Sequence, residues 1–256
     1  MRVVSLCPSL TELVFDLGCG DALVGITDYC VHPAERVGAV ESVGGTKTPD
    51  VARILELAPD LVLLNEEENR VEDADELEAA GIRCHSSMPR DAGETAAMVR
   101  SIGAALEAPG AAEHIAADIE ARSARVRAAA RGAVAVRFAY LIWKDPWMSV
   151  NRETFAHALL AQAGGVNVFG ERAERYPAVS LDELVAARPE LVLLCTEPYP
   201  FEPRHARELA VATGIDPACI RVADGEYLSW HGSRTPDGID YAADLIAGAR
   251  GAAARP

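Results

Sequence analysis

The sequence is poor in basic residues and holds no long apolar run. Only 24 Lys and Arg stand against 39 Asp and Glu among 256 residues, which gives a net charge of -15. Such a chain repels the phosphates of nucleic acids and anionic membrane surfaces. No apolar stretch approaches the roughly 20 residues that a membrane span requires. We therefore expect no nucleic-acid partner and no membrane insertion.

Cysteine pairs, a leader peptide and the common catalytic motifs are missing as well. The six cysteines form no CxxC pair, which predicts reduced thiols rather than a zinc knuckle or a disulfide framework. Met1 leads directly into an apolar run that we interpret as a first core strand, without a charged leader. We expect a cytoplasmic protein, or a periplasmic one had a leader been removed. Without a GxSxG, HExxH, P-loop or GxGxxG signature, no reaction can be named.

An internal repeat is the main organisational signal. Residues 48–68, TPDVARILELAPDLVLLNEEE, are echoed by residues 178–198, AVSLDELVAARPELVLLCTEP. Each copy predicts an amphipathic helix, a Pro-Asp or Pro-Glu pair, a strand LVLL and an acidic loop. Strands that are apolar on both faces are typical of buried parallel sheets flanked by helices. One copy in each half predicts two α/β lobes, although any α/β protein contains units of this kind.

The residues between and after the copies complete this prediction. Residues 111–131 are rich in Ala, Glu and Arg and predict one long helix that joins the lobes. A strand is predicted at 134–142, and a helix at 153–163 ends at a Gly-Gly pair. A last helix is predicted at 237–249. The predicted organisation is an N-terminal α/β lobe at 1–110, the linking helix at 111–131 and a C-terminal α/β lobe at 132–256.

Several segments, in this order, resemble the class III periplasmic binding proteins of the helical-backbone metal receptor superfamily, in particular the cobalamin-binding receptors. The segments are RVVSLCPSLTELVFDLG, ALVGITDYCVHP, VGGTKTPDVARILELAPDLVLL, GGVNVF and YPAVSLDELVAARPELVLL. The resemblance implies two Rossmann-like lobes joined by a single long helix, with a ligand cleft between the lobes. It also implies binding of cobalamin, a ferric siderophore, haem or a metal ion for delivery to an ABC transporter. Fold alone does not fix function.

Two departures from the family pattern bear on the partners. Exported relatives carry a leader peptide, which this sequence does not show. Cobalamin receptors present an acidic residue on each lobe for docking onto transporter arginines. Aligning Tyr227 with a ligand-stacking aromatic of the family puts Ser229 at the acidic position of the second lobe. We therefore do not expect docking to an ABC transporter.

Ligands of open α/β sheets bind beyond the carboxyl ends of the strands, so the loops there are the candidate site. In the first such loop, Cys30 and His32 stand two residues apart on an extended segment, which suits a soft metal. Equally, Cys30 can be a small buried residue and His32 a turn residue before proline. A metal site would need further ligands, for which the candidates are Glu66, His85, Glu197 and His231.

The second loop is acidic and follows the first LVLL strand. Glu66, Glu67 and Glu68 repel one another, and a solvated helix start is one explanation. The alternative is that Arg70 pairs with one of these carboxylates while another faces the ligand.

Two tryptophans stand in the third loop, and the fourth site segment is split in two. Trp143 and Trp147 flank Lys144 and Asp145, which suits a flat ligand that is stacked upon and hydrogen-bonded at its rim, although loop Trp residues can also cap a core. The fourth segment covers 197–201 and 224–234. There, Arg234 could bind a carboxylate or phosphate, and His231 could be an axial metal ligand or a proton donor.

The predicted ligand-binding residues are Asp28, Tyr29, Lys47, Glu66, Glu67, Arg70, Trp143, Lys144, Asp145, Trp147, Glu197, Tyr199, Glu226, Tyr227, Trp230 and Arg234, and the predicted metal ligands are Cys30, His32 and His231. The leading hypothesis is binding of a metal chelate, cobalamin or a similar corrinoid, haem or a siderophore. An enzyme on the same fold is a second hypothesis, because charged groups are more numerous than a stacking site needs. The third is a protein that binds a divalent metal ion.

Overall fold

The computed structural model describes residues 1–253, so the last three residues of the predicted C-terminal lobe, 254–256, lie outside the described part. Contacts within the chain group its residues into two compact units. The first unit comprises Met1–Pro89, Gly93–Asp118 and His231–Ser233. The second comprises Arg90–Ala92, Ile119–Trp230 and the residues from Arg234 onward.

A four-stranded parallel sheet forms the centre of the first unit, with the strand order β2-β1-β3-β4. The strands are β1 Val3–Ser5, β2 Leu23–Ile26, β3 Leu61–Asn65 and β4 Arg83–Ser87. The helices are α1 Pro8–Asp16, α2 Ala34–Val37, α3 Val51–Leu57, α4 Val71–Ala79, α5 Ala92–Ala105 and α6 Pro109–Ala130. Strand β3 contains the first LVLL run and is buried along its whole length, as expected for a central parallel strand. Helix α3 ends at Leu57 because Ala58 adopts a left-handed conformation and Pro59 follows.

The second unit has a mixed sheet of five strands. Its strands are β5 Val136–Trp143, β6 Met148–Ser149, β7 Gly165–Asn167, β8 Leu191–Cys195 and β9 Ile220–Ala223. Strand β5 pairs in parallel with β7 and β8 and antiparallel with β6, and β8 pairs in parallel with β9. The helices are α7 Phe155–Gln162, α8 Leu181–Ala186, α9 Pro203–Thr213, α10 Gly225–Ser229 and α11 Thr235–Ala253. Strand β8, the second LVLL run, is also wholly buried.

The α/β fold predicted from the repeat is confirmed. Both LVLL runs are central parallel strands, each preceded by the predicted helix, α3 or α8. The predicted linking helix is α6, which begins in the first unit and ends in the second. The last helix begins at Thr235, two residues earlier than predicted. None of the helices among residues 1–253 is both long and apolar enough to cross a bilayer.

Candidate functional site

All of the predicted site loops lie at the carboxyl edge of a sheet in their own unit. In the first unit, residues 27–33 follow β2 and residues 66–70 follow β3. In the second unit, residues 144–147, 196–201 and 224–234 follow β5, β8 and β9. Parallel strands of one sheet end at the same edge. In the second unit β5, β8 and β9 are direct neighbours, whereas in the first unit β1 lies between β2 and β3. Each unit is described below by itself.

Asn65 shapes the acidic turn of the first unit, a role that the sequence analysis missed. The side chain is 1% exposed at the end of β3. Its Oδ1 accepts the backbone N–H groups of Glu67 and Glu68 at 3.0 and 3.1 Å. Its Nδ2 donates to the carbonyl of Ser87 at 2.8 Å and lies 3.1 Å from Nε2 of His231. The three carboxylates are therefore presented on a turn that a buried amide holds in shape.

Asn69 is the second buried amide that the sequence analysis missed. Its Oδ1 accepts the backbone N–H of Asn65 at 2.8 Å. Its Nδ2 donates to the carbonyl of Leu6 at 2.8 Å and to that of Thr46 at 3.0 Å. One side chain thus connects the ends of β1 and β3 with the loop before α3. An Asn pair that brackets an acidic run after a buried strand was the available signal, because amides satisfy backbone groups where a strand ends.

Arg70 and Lys47 are the two cations among the predicted site residues of the first unit. Arg70 pairs with Glu72 at 3.4 Å and approaches Asp73 at 4.0 Å, both in the first turn of α4. Of the two alternatives for the acidic run, the one in which Arg70 pairs with a carboxylate at 66–68 is therefore not the arrangement in this structure. Glu68 and Glu72 both lie two residues from Arg70. Glu72 is the partner because Arg70 directly precedes α4, whose first turn contains Glu72 and Asp73. Lys47, for which no partner was predicted, donates to the backbone carbonyl of Glu67 at 2.6 Å.

The predicted metal ligands do not come together. The thiol of Cys30 is buried and lies 3.0 Å from the hydroxyl of Thr11 and 3.2 Å from that of Thr27. Burial raises the pKa of this thiol, which disfavours the thiolate that a metal requires. Among residues 1–253, no group of three or more His, Cys, Asp and Glu side chains is arranged to hold a metal ion. Cys30, His32 and His231 therefore do not form a metal site in this structure.

The remaining predicted residues of the first loop face solvent. Tyr29 is 62% exposed and stands in the loop that follows β2. Asp28 is also exposed, and its carboxylate accepts a hydrogen bond from the hydroxyl of Ser42. The loop thus offers one large aromatic face and one oriented carboxylate.

Aromatic side chains dominate the first two loops of the second unit. Trp143 is 40% exposed and meets Tyr199 edge to face, with ring centroids 5.5 Å apart. Trp147 stacks almost flat on Phe201 at 5.8 Å and packs against the core of the unit. Trp143 therefore presents a partly free face, whereas Trp147 also serves as a core cap. That Trp147 forms one wall of the ligand site stays a prediction.

Lys144 and Asp145 lie between the two tryptophans. The Nζ of Lys144 donates to Glu208 on α9 at 2.6 Å and lies 5.9 Å from the centre of the Trp147 ring. The hydrogen bond to Glu208 raises the pKa of Lys144. Asp145 is exposed and has a φ of 64°, a left-handed conformation that Asp tolerates better than most residues. This conformation turns the chain sharply after β5.

The last site segment is held by buried contacts. Trp230 is 8% exposed, and its indole N–H donates to the carboxylate of Glu197 at 2.7 Å. Arg234 pairs with Glu226 at 3.0 Å, and its guanidinium lies 5.3 Å from the Trp230 ring and 6.0 Å from that of Tyr227. The contact between Glu197 and Trp230 joins the loop after β8 to the loop after β9.

Gly225 allows these two loops to approach each other. A Cβ at this position would lie 2.8 Å from both the backbone N and the Cβ of Glu197. The Gly225 N–H donates to the hydroxyl of Thr196 at 2.8 Å. Any larger residue would push Glu197 away from its place at the carboxyl edge.

Comparisons with known proteins agree with this architecture. The family model described as periplasmic binding protein matches residues 3–206. A vitamin B12-binding protein of Vibrio parahaemolyticus is 26% identical over 205 residues, which span 80% of this chain and 71% of that protein. The periplasmic vitamin B12 binding protein BtuF of Vibrio cholerae has a TM-score of 0.83 and covers 97% of both chains, and its 21% identity shows the fold alone. The periplasmic heme-binding protein RhuT of Roseiflexus sp. RS-1, in its apo form, has a TM-score of 0.83 and 27% identity over 98% of both chains.

Proposed function

This chain belongs to the periplasmic binding protein family, and we propose that it binds a metal chelate, either a corrinoid such as cobalamin or haem. The observation that carries the proposal is the pair formed by Trp143 and Tyr199. Trp143 keeps 40% of its surface exposed at the carboxyl edge of the second sheet, and Tyr199 braces it edge to face. A braced and partly exposed indole suits a flat macrocycle that stacks on it.

The named relatives support the choice of ligand class. Proteins named for vitamin B12 and for haem share this fold over nearly their whole length. In the first unit, Tyr29 offers a second exposed aromatic face in the loop that follows β2. That one ligand is held in a cleft between two lobes stays a prediction, as do the roles of the individual site residues.

The two other hypotheses gain no specific observation. An acid/base enzyme was inferred from a surplus of charged groups, but Lys144, Glu197 and Arg234 each hold a structural contact at their loop. A divalent-metal protein needs a cluster of ligands, which residues 1–253 do not form.

Titration of the protein with cyanocobalamin and with hemin tests the proposal. We expect saturable quenching of tryptophan fluorescence by at least one chelate, confirmed by equilibrium dialysis. The change Trp143→Ala should weaken binding about fivefold or more, because loss of one stacking face at a ligand costs roughly 1–3 kcal/mol. Failure of both chelates to bind at micromolar concentrations would contradict the proposal.

Val134→Ala provides the matched control. Val134 is 74% exposed and precedes β5, so it lies at the opposite end of the strand that leads to Trp143. Truncating it removes exposed apolar surface of the same sheet without touching a carboxyl-edge loop. Binding should stay within twofold of the unchanged protein, and a loss equal to that of Trp143→Ala would assign the effect to stability instead.

We propose that the chain does not dock onto an ABC transporter in the manner of cobalamin receptors. Ser229, at the expected acidic position, is exposed, and its hydroxyl donates to the carbonyl of Gly225 at 2.6 Å. Co-purification with the membrane transporter from the same genome tests this expectation, and a stable complex would contradict it. The cytoplasmic location also stays a prediction, which fractionation of the native cells checks.

A further inference from the structure

His205 is a buried histidine in the first turn of α9 that the sequence analysis did not single out. Its side chain is 5% exposed, and it stands at the third position of the helix. Its Nδ1 accepts the backbone N–H of Glu202 at 2.9 Å. Because a backbone N–H can only donate, Nδ1 carries no proton and the imidazole is neutral. His205 thus takes the place that Glu or Gln has in a capping box, and this bond ties the ring to the start of the helix.

Two aromatic rings of the loop after β8 lie against this imidazole. The ring centroids of Tyr199 and Phe201 are each 5.6 Å from that of His205, with interplanar angles of 68° and 83°. The centroids of Tyr199 and Phe201 are 4.6 Å from each other. Aromatic pairs in edge-to-face geometry prefer a defined orientation. His205 therefore restrains the orientation of both rings.

The same two rings contact the tryptophans of the loop after β5. Tyr199 meets Trp143 edge to face at 5.5 Å, and Phe201 stacks on Trp147 at 5.8 Å. Phe201 is buried, Tyr199 is half-buried and Trp143 is exposed. A chain of ring contacts therefore runs from the buried His205 through Tyr199 to the exposed face of Trp143.

Helix α9 also holds the loop after β5 at a second point. Glu208, one turn after His205, accepts a hydrogen bond from Lys144 at 2.6 Å. Leu209 is 1% exposed and belongs to the hydrophobic core of the unit, which anchors the helix. The side chain of Glu208 is 52% exposed, so water weakens its ion pair, whereas the buried ring contacts of His205 are not screened. His205 is therefore the firmer of the two contacts.

We propose that His205 is a positioning residue of the ligand site, which sets the orientation of Tyr199 and, through it, the exposed face of Trp143. This role rests on the proposed function and names a residue that acts on the site without contacting the ligand. An aromatic side chain that is already ordered binds a stacking ligand more tightly, because no affinity is lost in ordering it. All of these residues belong to the second unit.

Two variants separate the ring of His205 from its hydrogen bond. His205→Gln keeps an acceptor for the Glu202 N–H, as in an ordinary capping box, but removes the ring. His205→Phe keeps a ring beside Tyr199 but removes the acceptor. With cyanocobalamin or hemin, whichever binds the unchanged protein more tightly, His205→Gln should weaken binding about three- to tenfold, which is what one edge-to-face contact supplies. His205→Phe should bind within about twofold of the unchanged protein, and an equal loss in both variants would overturn the role of the ring.

The change Tyr199→Leu tests whether the effect passes through Tyr199. With that ring removed, adding His205→Gln should weaken binding further by less than about twofold, because coupled residues give non-additive losses. If the two losses multiply in full, the proposal is overturned. Ile246→Val is the stability control, since Ile246 is fully buried in α11 and its truncation destabilises the unit. It should leave binding within about twofold, and a loss equal to that of His205→Gln would assign the effect to stability and overturn the positioning role.

The ligand-free protein reports the surroundings of Trp143 directly. Trp143 is the most exposed of the three tryptophans, so acrylamide quenches its fluorescence most. Loosening of Tyr199 should uncover more of the Trp143 ring, so the Stern–Volmer constant should rise in His205→Gln but not in His205→Phe or Ile246→Val. Adding Trp143→Phe should abolish the rise. An unchanged constant in His205→Gln would overturn the proposal.

The two proposals fail in distinguishable ways. If neither chelate binds the unchanged protein, the proposed function fails, and the quenching measurement still decides whether His205 orients Trp143. If a chelate binds but His205→Gln changes neither affinity nor quenching, chelate binding stands and only the positioning role is overturned. Should His205→Gln fail to fold, His205→Met takes its place, because methionine fills much of the ring's volume without an aromatic face.

Discussion

The position of the Trp230 side chain is fixed by the hydrogen bond of its indole N–H. The indole is buried, and its N–H meets the carboxylate of Glu197, while the guanidinium of Arg234 lies over the ring. A buried indole with a charged acceptor is fixed more firmly than one held by packing alone. Trp230 therefore acts as a support for the neighbouring loop more than as a free face.

The change Trp230→Phe should lower the free energy of unfolding by about 2–4 kcal/mol. Phenylalanine keeps a ring but removes the N–H, which leaves the Glu197 carboxylate without its indole donor and the pocket underfilled. Urea unfolding followed by circular dichroism measures the change. Trp143→Phe is the matched control, since Trp143 is 40% exposed and its edge contact with Tyr199 can be kept. A loss below about 1 kcal/mol for both variants would contradict the assigned support role.

Residue types at the site could be predicted from the sequence, but their partners could not. Acidic and aromatic residues after buried strands identified the loops that lie at the carboxyl edges. The partner of Arg70 depended on which acidic group the first turn of α4 brings near, and neither of the two alternatives drawn from the sequence named Glu72. Asn65 and Asn69 were missed because their partners are backbone groups, which have no signature in side-chain chemistry.

At the scale of elements, helices α5 and α6 pack closely at a glycine. A Cβ on Gly103 would lie 2.1 Å from the Cβ of Ala112, a distance that two short side chains cannot relieve. In the same unit, Arg100 of α5 pairs with Glu113 of α6 at 2.7 Å. Small residues and one ion pair therefore fix the start of the long helix against its neighbour.

The change Gly103→Ala should destabilise the protein by about 1–3 kcal/mol, although alanine favours helix by about 1 kcal/mol over glycine. The cost of overpacking exceeds the gain in helix propensity because the clash lies between two Cβ atoms on rigid helices. Thermal and urea unfolding measure it. Gly110→Ala is the control: no atom lies within 4 Å of a Cβ there, so the change should be neutral or stabilising by up to about 1 kcal/mol. Equal effects at both glycines would refute the close packing.

Long or doubly apolar elements were predictable, and short ones were not. The two LVLL strands, the helix at 111–131 and the helix at 153–163 each carry a pattern longer than one turn or one strand pair. Strands β6 and β7 contain two and three residues, too few for any periodicity. They form only because β5 offers free backbone groups on that side, a non-local cause.

At the scale of the whole molecule, the repeat predicted two α/β parts but not how the chain is shared between them. His231–Ser233 belongs by its contacts to the first unit, while its chain neighbours on both sides belong to the second. One contact that places His231 with the first unit is to Asn65 at the end of β3, whose side-chain amide lies 3.1 Å from the His231 ring. A contact between residues so far apart in sequence leaves no periodic trace.

The net charge of -15 predicts that salt stabilises the folded chain. Two effects oppose each other, because salt weakens surface ion pairs as well as repulsion between like charges. Exposed pairs such as Arg36 with Asp21 contribute about 0–1 kcal/mol each, and even full pairing of the 24 basic residues leaves acidic residues in excess. Repulsion in the compact state should therefore dominate. Raising NaCl from about 0.01 M to about 0.15 M should raise the thermal midpoint by several degrees in scanning calorimetry.

A variant of α4 makes this prediction specific to charge. Asp75, Glu76 and Glu78 are exposed on that helix, and replacing them with Asn, Gln and Gln removes negative charge without touching buried atoms. The variant should start from a higher midpoint at low salt and gain less from added NaCl, because less repulsion remains to be screened. A midpoint that falls with salt in both proteins would mean that ion pairs outweigh the excess charge. Surface ion pairs would then stabilise the folded state by more than the repulsion from its net charge destabilises it.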